Sequence, residues 1–72
     1  MKYAILIETT EDGTYGAYAP DLPGVGVTAE TADEARALLS EAIAMHLEGL
    51  AADGLPIPQP TVEIGYVETP AA

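Results

Sequence analysis

The side chains in this sequence that could do chemistry are one histidine and twelve acidic residues. His46 is the only imidazole, and the chain has no cysteine. Serine and threonine residues are present, but none stands in a context that activates a nucleophile. His46 falls among apolar residues at helical spacing, which favours a half-buried structural histidine, bonded to a backbone carbonyl or a tyrosine hydroxyl, over a catalytic base. We therefore predict no catalytic residues.

Carboxylates on predicted strands and turns offer a second kind of chemistry. Hard cations such as Mg²⁺ prefer oxygen ligands, and two-metal nucleases align water and phosphate with such ions. Against this, solvated Asp and Glu are common in turns, and the chain has only two basic residues to hold a nucleic acid. We expect no metal and no cofactor, and keep a metal-dependent hydrolase as an alternative. The carboxylates concerned are Glu8, Glu11, Asp12, Asp21 and Glu30.

The net charge of −10 limits the classes of molecule that the chain can bind. Binding to a phosphate backbone depends on Lys and Arg displacing counterions, so we expect no direct binding to DNA or RNA. The acidity either keeps a small protein soluble or attracts a basic protein, and both interpretations stay open. Tyr15, Tyr18 and Tyr66 are likewise open between filling a thin sheet and contacting a partner.

Alternating apolar residues predict three strands that could position these groups, over 2–9, 14–19 and 25–29. A turn with Gly13 joins the first two strands, and Pro20-Asp21-Leu22-Pro23-Gly24 forms a constrained turn before the third. Gly16 marks either a bulge or the close approach of another backbone. The residues predicted to share a face on each strand are Tyr3, Ile5 and Ile7; Tyr15, Ala17 and Ala19; and Val25 and Val27.

A helix of about twenty residues follows the strands. Thr31 and Glu34 form a capping box at its start, while Gly54 at the C′ position and Pro56 just beyond it end the helix. Glu34, Glu41 and Glu48 lie on the face that we expect to be exposed. The apolar stripe predicted to face the sheet comprises Ala32, Ala35, Leu39, Ala42, Ile43, His46, Leu47 and Leu50.

The remaining sequence predicts a rigid, proline-rich connection over 55–60, a short fourth strand over 61–68 and a frayed tail over 69–72. The fold class is α+β, with a β-β-β-α-β order: one domain over 1–68, a three-stranded antiparallel sheet and one long helix on one face. So small a domain has a thin core, and no disulfide can support it, so we expect a homo-oligomer, a dimer or tetramer.

The apolar residues near the N-terminus do not form a targeting segment. The run from Tyr3 to Ile7 is too short for a signal peptide and Glu8 interrupts it, with no cleavage-like site following. No stretch reaches the roughly 20 apolar residues that span a bilayer. We expect a soluble, cytoplasmic protein that does not contact a membrane.

An ordered set of short motifs runs from about Tyr3 to Pro60 and resembles the HicB-like antitoxins of bacterial and archaeal toxin–antitoxin systems. No single motif is diagnostic, but their order and spacing are fairly specific. The motifs are Tyr3-x-Ile5-x-Ile7-Glu8, Glu11-Asp12-Gly13-x-Tyr15-x-Ala17, Pro20-Asp21-Leu22-Pro23-Gly24, Thr31-x-x-Glu34-Ala35, Glu41-Ala42-Ile43, His46-Leu47-Glu48-Gly49-Leu50 and Gly54-x-Pro56-Ile57-Pro58.

The resemblance implies a partial RNase H-like fold that lacks the carboxylates of true ribonucleases. It also implies a non-enzymatic antitoxin that binds a HicA-type toxin, a small basic protein that cleaves mRNA, and that masks the toxin's active-site histidine. Family members tend to form homo-oligomers. An orphan self-assembling module, without a toxin, is a further alternative. The predicted partner contacts are Glu11, Asp12, Tyr18, Asp21 and Glu30.

Two departures from the family pattern bear on this expectation. Many members carry a C-terminal ribbon-helix-helix or helix-turn-helix domain that binds the operator. This chain is predicted to be a short form without that domain, so DNA binding and autorepression are not carried over. The position after the turn glycine is often cysteine in the family, and here it is Val25, another small side chain that preserves the packing.

Overall fold

Three short strands form a single antiparallel sheet in the computed structural model, which describes residues 1–70. The strands are β1 (Leu6–Thr9), β2 (Tyr15–Tyr18) and β3 (Gly26–Ala29), in the order β1-β2-β3. One helix follows, α1 (Ala32–Ala52). The predicted α+β class, with its three-stranded antiparallel sheet and one long helix, is confirmed.

The register of the sheet separates an inner from an outer face. Ile7 pairs with Ala17, and Ala17 pairs with Val27, and these three residues face the helix. Gly16 lies in regular register opposite Glu8 and Thr28, so the bulge that we considered there is wrong. A Cβ atom at Gly16 would lie 3.9 Å from the carbonyl oxygen of Val27, which is ordinary van der Waals contact.

The helix begins and ends where its sequence signals predict. The Thr31 hydroxyl accepts a hydrogen bond from the backbone N–H of Glu34 at 3.1 Å, which satisfies one of the free donors of the first turn. At the other end Gly54 has a φ of +70°, a conformation that glycine adopts at no steric cost. The helix residues that are not exposed are those of the predicted stripe.

The core between sheet and helix is thin. Ala17, Ala35 and Leu39 form its fully buried centre, and partly buried residues of all three strands pack around them. Ala19 and Leu22 are also buried, at the start of the β2–β3 turn. Because only one helix covers the sheet, its other face stays open to solvent.

The fourth strand predicted over 61–68 is wrong for the single chain. This segment, which we call the C-terminal arm, is exposed and pairs with no strand. A strand needs a neighbour whose backbone groups are free and in register. The arm instead lies beside residues 4–6, at the entrance to β1, and is hydrogen-bonded at its base to the side chain of Asp21. The frayed tail predicted over 69–72 lies outside the described residues at its last two positions.

Candidate functional site

One face of the sheet is left by the fold without a covering element of the same chain. Its side chains come from alternate positions of the three strands, in two rows across the sheet. Leu6 and Tyr18 are 39% and 42% exposed there, although both are large and apolar in body. We call this surface the outer sheet face; its residues are Leu6, Tyr18 and Gly26 in one row and Glu8, Gly16 and Thr28 in the other.

Two glycines make the outer sheet face a shallow trough. Gly16 and Gly26 lie in the middle and edge strands without side chains, and Glu8, Tyr18 and Thr28 line the depression around them. A Cβ atom at Gly26 would lie 3.4 Å from the carbonyl oxygen of Ala17, so the sheet itself leaves room for a small side chain. The backbone is therefore accessible from outside, and a second protein could approach it closely.

The predicted contact residues do not form one cluster. Thr9, Tyr15 and Ala29 are paired at one end of the sheet, which places the β1–β2 turn with Glu11 and Asp12 there. Glu30, directly after β3, lies at the same end and is exposed. Tyr18 and Asp21 lie at the opposite end. The structure thus separates an end with three carboxylates, Glu11, Asp12 and Glu30, which we call the acidic end, from an end with Tyr18 and Asp21.

Asp12 has a structural role in the β1–β2 turn. One of its carboxylate oxygens accepts hydrogen bonds from the Thr10 hydroxyl at 2.5 Å, the Thr14 hydroxyl at 2.7 Å and the Thr14 backbone N–H at 3.1 Å. These bonds favour the charged form, and the Thr10 hydroxyl contributes most to lowering the pKa of Asp12 from 3.8 to about 2. The turn therefore holds this carboxylate ionised.

Asp21 joins the β2–β3 turn to the C-terminal arm. Its Oδ1 accepts a hydrogen bond from the Thr61 hydroxyl, and its Oδ2 accepts from the backbone N–H groups of Thr61 and Val62, at 3.1 and 3.2 Å. The Thr61 hydroxyl bond is the main cause of a lowered pKa at Asp21. Sequence reasoning missed this role, because no local pattern links residues 40 positions apart.

His46 is half-buried in the helix stripe, as predicted. It lines a depression with Gly24, Val25 and Gly26 beside the β2–β3 turn. None of the side-chain hydrogen bonds among residues 1–70 involves its ring, so the predicted bond to a carbonyl or tyrosine hydroxyl is not made.

Two further searches cover the described part of the chain. Over residues 1–70, no three His, Asp or Glu side chains come together in a group that could hold a metal ion. Over the same residues, no helix is both long enough and apolar enough to cross a membrane.

Comparison with known proteins places this architecture in a family. The chain is 46% identical to a UPF0150 protein of Archaeoglobus fulgidus over 67% of its own length and 70% of the relative. It is 37% identical to a UPF0150 protein of Synechocystis over 81% and 73%. A UPF0150 protein of Thermoplasma acidophilum is 36% identical over 88% and 91%.

No solved structure gives a significant match. The family profile described as the HicB-like antitoxin of bacterial toxin–antitoxin systems matches residues 3–71, which is almost the whole sequence. This match agrees with the strand–strand–strand–helix order and with the motifs from Tyr3 to Pro60. The chain therefore belongs to the HicB-like antitoxins of bacterial toxin–antitoxin systems.

Proposed function

We propose that this antitoxin binds a small basic HicA-type toxin in the cytoplasm and neutralises it by covering the surface that cleaves mRNA. It acts by occlusion and has no catalytic activity of its own. The observation that carries the proposal is the charge of the chain: an antitoxin family member with twelve acidic and two basic residues is matched to a basic protein partner.

The outer sheet face is the surface that we assign to the toxin. It is open, its floor is formed by glycines, and Tyr18 supplies an aromatic side chain of the kind that protein interfaces favour. Glu8 lies on this face, and Glu11 and Glu30 lie at its acidic end. A basic partner seated on the trough would meet both the apolar surface and the carboxylates.

Asp12 and Asp21 contribute differently from the other predicted contacts. Their carboxylates already accept hydrogen bonds from threonines of this chain. They would therefore act on a partner through their negative charge, while Glu11, Tyr18 and Glu30 keep their side chains free for direct contact. We accordingly propose Glu8, Glu11, Tyr18 and Glu30 as the principal contacts.

The test begins by searching the reading frames beside this one for a small basic protein, which is purified together with the antitoxin. We expect the two purified proteins to form a complex and the antitoxin to stop cleavage of RNA by the toxin. Glu8→Lys combined with Glu30→Lys should weaken binding by about tenfold or more, because each change places a positive charge against a basic surface. The complex should also weaken as salt is added.

The matched control reverses two charges on the exposed face of the helix. Glu41→Lys combined with Glu48→Lys gives the same net charge as the test variant but leaves the outer sheet face unchanged. It should retain most of the affinity. An equal loss of toxin affinity in both double variants would assign the effect to net charge alone. RNA cleavage that continues unimpaired with saturating antitoxin would contradict the proposal.

The two alternatives weighed from the sequence receive no specific support. A metal-dependent hydrolase would need carboxylates gathered in one place, whereas the register separates Glu30 from Asp21 by the length of the sheet. An orphan module without a toxin is distinguished by the same binding experiment, since it would form no complex with the neighbouring gene product.

A further inference from the structure

The C-terminal arm exposes four large apolar side chains within six residues. Val62, Ile64, Tyr66 and Val67 are 40%, 67%, 93% and 86% exposed. The arm contains no proline and alternates apolar residues with Glu63 and Gly65, a pattern typical of a strand with one buried face. A strand-like segment without a neighbouring strand has open backbone donors and acceptors.

The arm is fixed at its base and free along its length. Asp21 binds the backbone of Thr61 and Val62, and the Tyr3 hydroxyl donates a hydrogen bond to the carbonyl of Pro58. Within the described residues, no hydrogen bond joins residues 63–68 to the rest of the chain. Only the base of the arm is thus held in place before binding, which lowers the entropy lost when the rest of the arm pairs.

The shape of the chain also indicates that the arm belongs to an assembly. The Cα radius of gyration is 14.3 Å, whereas a compact domain of this length has a value of about 11 Å. The longest dimension is 51 Å and the shortest 16 Å. A small domain with a thin core has little stability of its own, so burying such a projection against another chain makes its folded state more stable.

We propose that residues 61–68 form a strand against a second copy of this chain, each copy laying its arm into the arm groove of the other. The arm groove is the depression between the arm and the entrance to β1, lined by Ala4, Ile5, Leu6, Val62, Ile64 and Tyr66. The surface is therefore self-complementary, as a two-fold interface requires: an apolar arm and an apolar groove occur on every copy.

Charge favours a second copy over a basic toxin at this place. Glu63 is the only charged residue that lines the arm groove. The carboxylates that suit a basic partner, Glu8, Glu11 and Glu30, lie on the outer sheet face and at its acidic end. Two copies of a chain with a net charge of −10 repel each other, so they associate best through the least charged part of the surface.

The arm offers enough surface for a stable contact. A buried tyrosine alone removes about 150–250 Å² from water, and an interface between copies needs about 1,000 Å² in total. Exchange brings three apolar side chains from each arm, Val62, Ile64 and Tyr66, into the interface, together with Leu6 of each groove. The two halves are identical, so every contact counts twice.

The test measures the association state of the full chain by sedimentation equilibrium, with amide hydrogen exchange on the same samples. We expect a dimer at micromolar concentration, with slow exchange over residues 63–68 that is lost on dilution. Tyr66→Ser and Ile64→Ser should each weaken the dimer by about tenfold or more, since each removes a buried apolar side chain. Added salt should strengthen the dimer, because it screens the repulsion between copies.

Met45→Ser is the matched control, because Met45 is 72% exposed on the helix and does not line the arm groove. It should leave the dimer unchanged, and circular dichroism should show the same helix content in all variants. A monomer at high micromolar concentration would overturn the proposal, as would a Tyr66→Ser dimer as stable as the native one. Protection of the arm only when the toxin is added would also overturn it, and would assign the arm to the toxin. Toxin binding itself is measured separately, so failure of one proposal is distinguishable from failure of the other.

Discussion

The carboxylate of Asp21 accepts hydrogen bonds from both the hydroxyl and the backbone N–H of Thr61, at 2.8 and 3.1 Å. This pair connects the turn before β3 with a segment 40 residues later. Together with the bond from the Tyr3 hydroxyl to the carbonyl of Pro58, it sets where the C-terminal arm leaves the body of the protein.

Asp21→Asn should therefore loosen the base of the arm. The backbone N–H groups of Thr61 and Val62 both bind one oxygen of Asp21, and an uncharged amide oxygen accepts more weakly than a carboxylate oxygen. We expect faster hydrogen exchange at the amides of Thr61 and Val62 and little change in β2 or α1. Glu41→Gln removes the same charge from the exposed face of the helix and serves as the control. Unchanged exchange at both amides would show that Asp21 does not hold the arm.

The Asp12 carboxylate should make the β1–β2 turn sensitive to acid. Its pKa is about 2 in the folded protein and 3.8 ordinarily, so its contribution to stability is complete above pH 3.8. That contribution is lost as the pH falls from 3.8 towards 2, because the unfolded chain takes up the proton first. The chemical shift of the Thr14 amide should follow this titration, and Asp12→Asn should abolish it. A midpoint near 3.8 would mean that the threonine bonds do not form in solution.

Thr31→Ala should shorten or destabilise the helix at its start. The hydroxyl satisfies the N–H of Glu34, and the loss of such a cap costs about 0.5–2 kcal/mol. Chemical denaturation measures this cost. Ser40→Ala, at an exposed position in the middle of the helix, should not reduce the free energy of unfolding.

Leu39→Ala should be among the most damaging single changes. Leu39 is fully buried in the centre of the core, and truncating such a side chain costs about 2–5 kcal/mol. A domain of this size has a stability of roughly 4–11 kcal/mol, so the loss is a large fraction of the total. Leu38→Ala, at the neighbouring and partly exposed position, should cost much less. Equal costs would mean that the helix packs by another face.

Gly16→Ala should change stability and toxin binding in opposite directions. The new methyl group meets nothing in this chain nearer than 3.9 Å, and replacing a strand glycine stabilises by about 0.5–1 kcal/mol. The same methyl group projects into the trough of the outer sheet face, so the affinity for the toxin should fall. A more stable variant with unchanged toxin affinity would show that the toxin binds a surface other than the outer sheet face.

Much of the fold could be predicted because its signals are local. The N-cap at Thr31, the positive φ at Gly54 and the helix stripe through Leu39 each depend on residues within a few positions of one another. Hydrophobic alternation likewise separated the inner from the outer face of each strand. These features were confirmed by the structure. Of the predicted capping box, the bond to the Thr31 hydroxyl is made, and the return bond from the Thr31 N–H to the Glu34 carboxylate is not.

The remaining features depend on contacts between distant residues. The Asp21–Thr61 pair has no local signature, and it was not predicted. Alternation in the C-terminal arm predicts a strand, but it does not show whether a neighbouring strand exists in the same chain, and over residues 1–70 none does. The predicted partner contacts were chosen as one set because of their charge. The register places two of them, Glu30 and Asp21, at opposite ends of the sheet.

A sheet covered on one face only has a consequence for how this antitoxin is measured. A toxin on the outer sheet face, or a second copy that exchanges arms, binds the folded chain and not the unfolded one. Binding of either partner therefore stabilises the folded state. The midpoint of thermal unfolding is then a function of protein and partner concentration. A single value recorded for the dilute chain describes the least stable state in which the antitoxin exists.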